Sequence, residues 1–181
     1  MSAMEETLKF MPQIQRIRLF SCLSSDELNT LLCISTLIEY NKGEKIVFQD
    51  EIGDALFAVV RGAVDVSIKD ISDNDVVISS IKSGEVFGEA AIFMTARRTA
   101  SITAATDTTV IRIKRKDLLS FFRSNPQAGN KILTLIILSL LKKLKNTNED
   151  LVLEKQSDID FDYVDNMVQE FISETGHDDC Q

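Results

Sequence analysis

The hydrophobic positions change period twice along the chain. Over the first 35 residues apolar side chains recur at helical spacing, first Leu8, Met11, Ile14 and Ile17, then Leu28, Leu31 and Leu32. Between the groups, FSCLSSDEL offers Ser24 or Ser25 as an N-cap, with Glu27 at capping-box distance from Ser24. Two short helices are predicted. From about residue 38 to residue 114 the pattern turns to short alternating runs, 45–49, 55–60, 63–69, 76–81, 101–105 and 109–114. In the run 63–69, Val64, Val66 and Ile68 point one way and Asp65, Ser67 and Lys69 the other, which predicts a half-buried antiparallel strand. Gly43, Gly53, Gly62 and Gly84 fall between runs, and Ser72, Asp73, Asn74 and Asp75 read as a hairpin tip. Short strands at this spacing predict a mainly β sandwich or small barrel with flanking α-helices.

Helical spacing returns after Lys114. Residues 116–122 predict one short helix, Pro126 stands near the start of the next, and 130–155 reads as one long helix. Leu133, Ile137, Leu140, Leu144, Thr147 and Leu151 form a coiled-coil stripe along it, which predicts a homodimer seam, while Ile132 and Ile136 face the barrel. In residues 157–176, Phe161, Val164, Val168, Phe171 and Ile172 lie on one face of a further amphipathic segment that Gly176 ends.

Composition narrows the function classes. The net charge of -8 is concentrated at one end, because residues 146–181 hold 11 acidic residues against Lys155 alone, leaving residues 1–145 at +2. An acidic tail repels phosphate backbones, so no DNA binding is expected from this chain alone. No apolar run approaches the roughly 18 to 20 residues that span a bilayer, and MSAMEETLKF lacks the order of a secretion signal, so a soluble cytoplasmic protein is expected. Three cysteines without a C-x-x-C pair and a single histidine, His177, leave no metal cluster or redox pair; Cys22 and Cys33 read as small buried hydrophobes. No catalytic triad or P-loop is present, and no catalysis is expected.

The candidate chemistry lies in residues 87–104, FGEAAIFMTARRTASITA. Phe87 leads into Gly88, where the backbone can approach a ligand closely, and the N–H groups of a helix start can hold an anion. Glu89 is a carboxylate at that start, able to accept a hydrogen bond from a ribose hydroxyl. Arg98, on the following loop, can pair with a phosphate oxygen through its planar fork.

These residues in this order, with FSCLS before the barrel, KGEKIVFQDEIGDALFAVVRGAVDV in its first half and GEVFGEAA with RRTAS in its second, resemble the cyclic-nucleotide-binding domain of the catabolite activator protein, the protein kinase A regulatory subunits and the nucleotide-gated channels. The resemblance covers roughly residues 19–151. It implies an antiparallel β-roll, a jelly-roll-like barrel with N-terminal helices and a long C-terminal helix. The chain then divides into helices at 1–35, a β-roll with its cassette (84–104) and long helix at 36–155, and an acidic amphipathic tail at 156–181. It implies that Glu89 binds the ribose 2′-hydroxyl, that Gly88, Ala90 and Ala91 give backbone contacts, and that Arg98 with Thr99 holds the cyclic phosphate. Two positions depart from the family pattern: Asp50 stands where glycine is frequent, and Arg97 where proline often precedes the arginine.

KKLKNTNEDL in the long helix resembles the segment of the catabolite activator protein that closes over the base, which places Thr147 and Asn148 against an adenine amino group and implies cyclic AMP. Thr99 directly after Arg98 resembles the cyclic-GMP branch, so cyclic GMP stays open as ligand. The expected role is a sensor that signals to an unknown downstream protein by movement of the long helix. Two other readings stand beside it: the sensory part of a transcription factor cut short of its DNA-binding domain, and an interaction module with a vestigial site.

Overall fold

The computed structural model describes residues 9–94 and 97–151, the last seven of these by their backbone alone. The chain divides into two compact units, Met1–Leu141 and Lys142–Gln181. Leu8 and the predicted amphipathic segment 157–176 lie outside the described residues.

Two helices precede the strands. In α1 (Met11–Ile14) Pro12 occupies the first turn, where a missing N–H leaves no bond unmade. In α2 (Ser25–Cys33) the predicted capping box forms with Ser24 as cap: its Oγ accepts the Glu27 N–H at 3.2 Å, and Glu27 Oε2 accepts the Ser24 N–H at 2.8 Å. Cys33, at the end of α2, is exposed and Cys22 is half-buried, so neither is the buried small hydrophobe its type suggests.

Eight strands follow among the described residues: β1 (Ser35–Tyr40), β2 (Lys45–Val47), β3 (Ala55–Arg61), β4 (Ala63–Lys69), β5 (Asp75–Lys82), β6 (Val86–Phe87), β7 (Ser101–Ala104) and β8 (Thr108–Lys114). They pair antiparallel in two sheets, ordered β1-β8-β3-β6 and β2-β7-β4-β5. Strand β3 belongs to two cores at once. Leu56, Ala58 and Val60 join Ile14, Phe20, Leu31, Leu118, Ile132 and Ile136 on the helical side, while Ala55, Phe57 and Val59 join Val47, Val64, Phe87, Ile102 and Val110 between the sheets.

The strand at 63–69 has the predicted bounds but not the predicted facing. A bulge between Val66 and Ser67 shifts the pairing with β5, so Ser67 turns inward (3% exposed) and Ile68 outward (38%). The hairpin tip also moves back. Asp75 pairs with Lys69 inside the ladder, and Asp70 organises the turn by accepting the N–H groups of Ser72 (2.7 Å) and Asn74 (2.9 Å) on one carboxylate oxygen.

A short helix α3 (Ala90–Phe93) lies between β6 and β7, and α4 (Arg115–Ser124) and α5 (Pro126–Leu151) follow β8. Helix α5 starts at Pro126, four residues before the predicted 130. Ile132 and Ile136 are fully buried, as the stripe analysis requires, and Glu27 of α2 lies 3.5 Å from Lys131 of α5. On the other stripe Ile137 is 51% and Leu144 60% exposed. No helix among the described residues is long and apolar enough to cross a membrane.

Candidate functional site

The site grows out of the end of β6. Phe87 pairs with Phe57 of β3 and stacks on it, ring centroids 4.9 Å apart and nearly parallel, which fixes where the chain leaves the sheet. Gly88 then takes φ +82, a conformation L side chains rarely adopt. A Cβ there would fall 2.8 Å from the Ala55 carbonyl oxygen and 2.8 Å from Arg98 Nη1, so the glycine also makes room for the arginine. Glu89 stands at the cap position of α3, and the single turn closes through Ala91 N–H to Gly88 O at 3.1 Å, Ile92 N–H to Glu89 O at 3.0 Å and Met94 N–H to Ala90 O at 3.1 Å. The Ala91 N–H is thereby engaged within the turn.

Arg98 reaches the same place from the other direction. Its N–H donates to Glu51 O at 2.8 Å and its carbonyl accepts from Asp50 N–H at 2.9 Å, which ties its backbone to residues 50–51. Its guanidinium donates from Nη2 to Ala55 O at 3.0 Å, lies 5.9 Å from the centre of the Phe57 ring, and packs where a Cβ on Gly53 would come within 2.9 Å. The structure thus brings Gly53, Gly88 and Arg98 together, with Ala91 alongside.

The site sets a desolvated arginine among charges of both signs. Burial draws Arg98 below its ordinary range; Asp54 and Glu51 work against that shift and Arg112 adds to it. Asp54 is itself held by Arg112, with Nη2 at 3.1 and 3.4 Å from its two oxygens. Among the described residues Arg98 has no carboxylate within ion-pair distance. A cavity of about 200 Å³ opens beside it, lined by Arg98 with Tyr40, Val47, Glu51, Asp54, Phe57 and Arg112 among others.

Glu89 is 4% exposed and does not line that cavity. Its Oε1 accepts the hydroxyl of Ser139 of α5 at 3.2 Å, so the cassette carboxylate and the long helix are directly joined. Thr99 is exposed. Thr147 and Asn148 belong to α5 by backbone, but their side chains lie outside the described residues.

Sequence reasoning does not single out Ser139, Arg112 or Glu51. Arg112 reads as an outward polar residue of an alternating strand, and Ser139 as an interruption of an apolar helix. Neither carries a local signal, because each partner lies about 50 or more residues away in the chain.

Residues 37–125 match the family model described as the cyclic nucleotide-binding domain. The chain is 27% identical over 118 residues to a cyclic AMP receptor protein of Thermus thermophilus, covering 65% of this chain and 55% of that protein. It is 26% identical over 127 residues to a cGMP-dependent 3′,5′-cGMP phosphodiesterase A of Dictyostelium discoideum, covering 70% of this chain and 14% of the relative. It therefore spans between a seventh and little over half of these relatives. A cyclic nucleotide-binding domain from Methylobacillus flagellatus superposes with a TM-score of 0.68 over 86% of each chain at 22% identity, a likeness of fold. With the β-roll and its cassette in place, residues 37–125 of this chain belong to the cyclic nucleotide-binding domain family.

Proposed function

We propose that this chain is a cyclic-nucleotide sensor that prefers cyclic AMP, holding the phosphate with Arg98 and Thr99, the ribose with Glu89, and backbone contacts at Gly88 and Ala90. The observation that carries the reading is the half-buried Arg98 guanidinium. It is desolvated, steadied by a carbonyl and flanking carboxylates, and has no ion-pair partner among the described residues. A singly charged cyclic phosphate supplies the missing anion in a form the planar fork can grip.

The name of the Thermus relative supports cyclic AMP as the ligand. Cyclic GMP is the second reading, favoured by Thr99 next to Arg98 and by the name of the Dictyostelium relative. The Ser139 hydroxyl on Glu89 supports a signal through α5: a ribose hydroxyl arriving at Glu89 competes for the acceptor that ties the cassette to the helix. Such a ligand shifts the helix only by its differential affinity for the two arrangements. The exposure of Ile137 and Leu144 on one stripe supports a homodimer seam or a downstream partner on the same helix.

Calorimetric titration of the full chain with cyclic AMP and cyclic GMP tests the reading. Arg98→Ala is expected to weaken cyclic AMP binding about a hundredfold or more, since breaking a desolvated charge pair typically costs about 3 to 5 kcal/mol. An Arg98→Ala chain that binds as tightly as the parent would overturn the assignment.

A further inference from the structure

The two places where the chain departs from its family pattern meet at one carbonyl group. Asp50 holds φ +67, a left-handed conformation that disfavours every residue with a Cβ. It turns the chain between β2 and β3, and its carbonyl oxygen accepts Nη1 of Arg97 at 2.7 Å. The same turn makes both backbone bonds that seat the next residue: Asp50 N–H to Arg98 O, and Glu51 O from Arg98 N–H. Ile52 bridges Arg97 antiparallel in the same stretch. Consecutive side chains on an extended backbone point to opposite sides, so Arg97 reaches outward over the turn while Arg98 reaches inward.

We infer that Arg97 is a positioning residue for Arg98: its guanidinium clasps the strained Asp50 turn, and the turn in turn fixes the backbone that aims Arg98 at the phosphate. The inference rests on the proposed function for its ligand, but the clasp is a statement about residues 50–52 and 97–98 alone. A backbone held in a sparsely populated conformation persists where its surroundings over-determine it. Here three hydrogen bonds do so, one of them belonging to the Ile52–Arg97 bridge and one contributed by the Arg97 side chain. The clasp needs a single donor, so lysine can replace it. Glycine at position 50 adopts the left-handed conformation unaided, so Asp50→Gly makes the clasp dispensable.

The test uses the full chain, with cyclic AMP as the probe and calorimetry and amide hydrogen exchange as the two readouts. Arg97→Ala is expected to lower cyclic AMP affinity about fivefold, in keeping with the loss of one charge-assisted hydrogen bond at an exposed site, and to speed exchange at the Asp50 and Arg98 amides. Arg97→Lys is expected to restore both. The double variant Asp50→Gly with Arg97→Ala is expected to bind within about twofold of Asp50→Gly alone, as a non-additive pair should. An Arg97→Ala chain with parental affinity and exchange overturns the clasp, and so does a loss of affinity that Asp50→Gly leaves undiminished, which would make Arg97 a direct phosphate ligand. Arg98→Ala separates the two proposals: it loses the nucleotide yet keeps slow exchange at the Asp50 amide. If it keeps the nucleotide, the proposed function fails while the exchange result still judges the clasp.

Discussion

Strands β3 and β5 are both rich in valine and isoleucine, yet the fold treats them in opposite ways. In β3 every residue but Arg61 is buried, because one face meets the helices and the other meets the second sheet. In β5 the run Val76, Val77 and Ile78 is 45, 60 and 55% exposed, because the strand is the last in its sheet and its neighbour β4 is bulged. Hydrophobic content therefore says that a segment can be a strand, and position in the sheet decides what its side chains are worth. The candidate site lies on the β3 side of that divide: Phe57 carries Phe87, and the Ala55 carbonyl receives Arg98.

The contrast can be broken by substitution. The largest effect is expected at Leu56, 1% exposed in the helical core, where Leu56→Ala should cost about 2 to 5 kcal/mol of stability, read from the denaturant midpoint at unchanged slope. Next comes Gly88→Ala, which forces a Cβ at φ +82 to within 2.8 Å of a backbone oxygen. About 1 to 2 kcal/mol of stability is expected to go, and cyclic AMP affinity is expected to fall with it as Arg98 is pushed aside. A chain that kept parental affinity would show that Arg98 does not need that seat. The smallest effect is expected at Val77, where Val77→Ser should stay within about 0.5 kcal/mol. A loss comparable with that of Leu56→Ala would show that β5 is covered in solution.

Much of this molecule is legible in its sequence, and what is not legible has physical causes. Runs bounded by turn residues are strands, and β4 has its predicted bounds. Its facing was lost at Ser67 because a bulge is a property of the pair of strands, and no residue of β4 announces it. Strand β1 follows α2 with only Ile34 between them, so no glycine or proline marks the change of period, and β6 is two residues long, too short for any alternation. Helix α5 begins at Pro126, and Gly129 in its first turn does not break it. Gly129 lies against Phe122, where a Cβ would come within 3.2 Å, so the glycine lets α4 and α5 approach. In the site, Gly88, Glu89 and Arg98 stand out because their chemistry is local to one motif. Ser139 and the link from Arg97 to Asp50 do not, because 50 and 47 residues separate the partners.

The outer strand has one more consequence. As the last strand of its sheet, β5 offers a row of backbone donors and acceptors to any passing extended chain, and its valines make that row sticky. The bulge in β4 twists the ribbon, and Lys82 and Asp75 place a charge at either end, the latter engaged by Lys45 at 2.7 Å. These features work against a second molecule adding itself as a further strand. In a concentrated solution this edge is a surface that other copies meet, and it lies only a few residues before Gly88 and Glu89 of the candidate site.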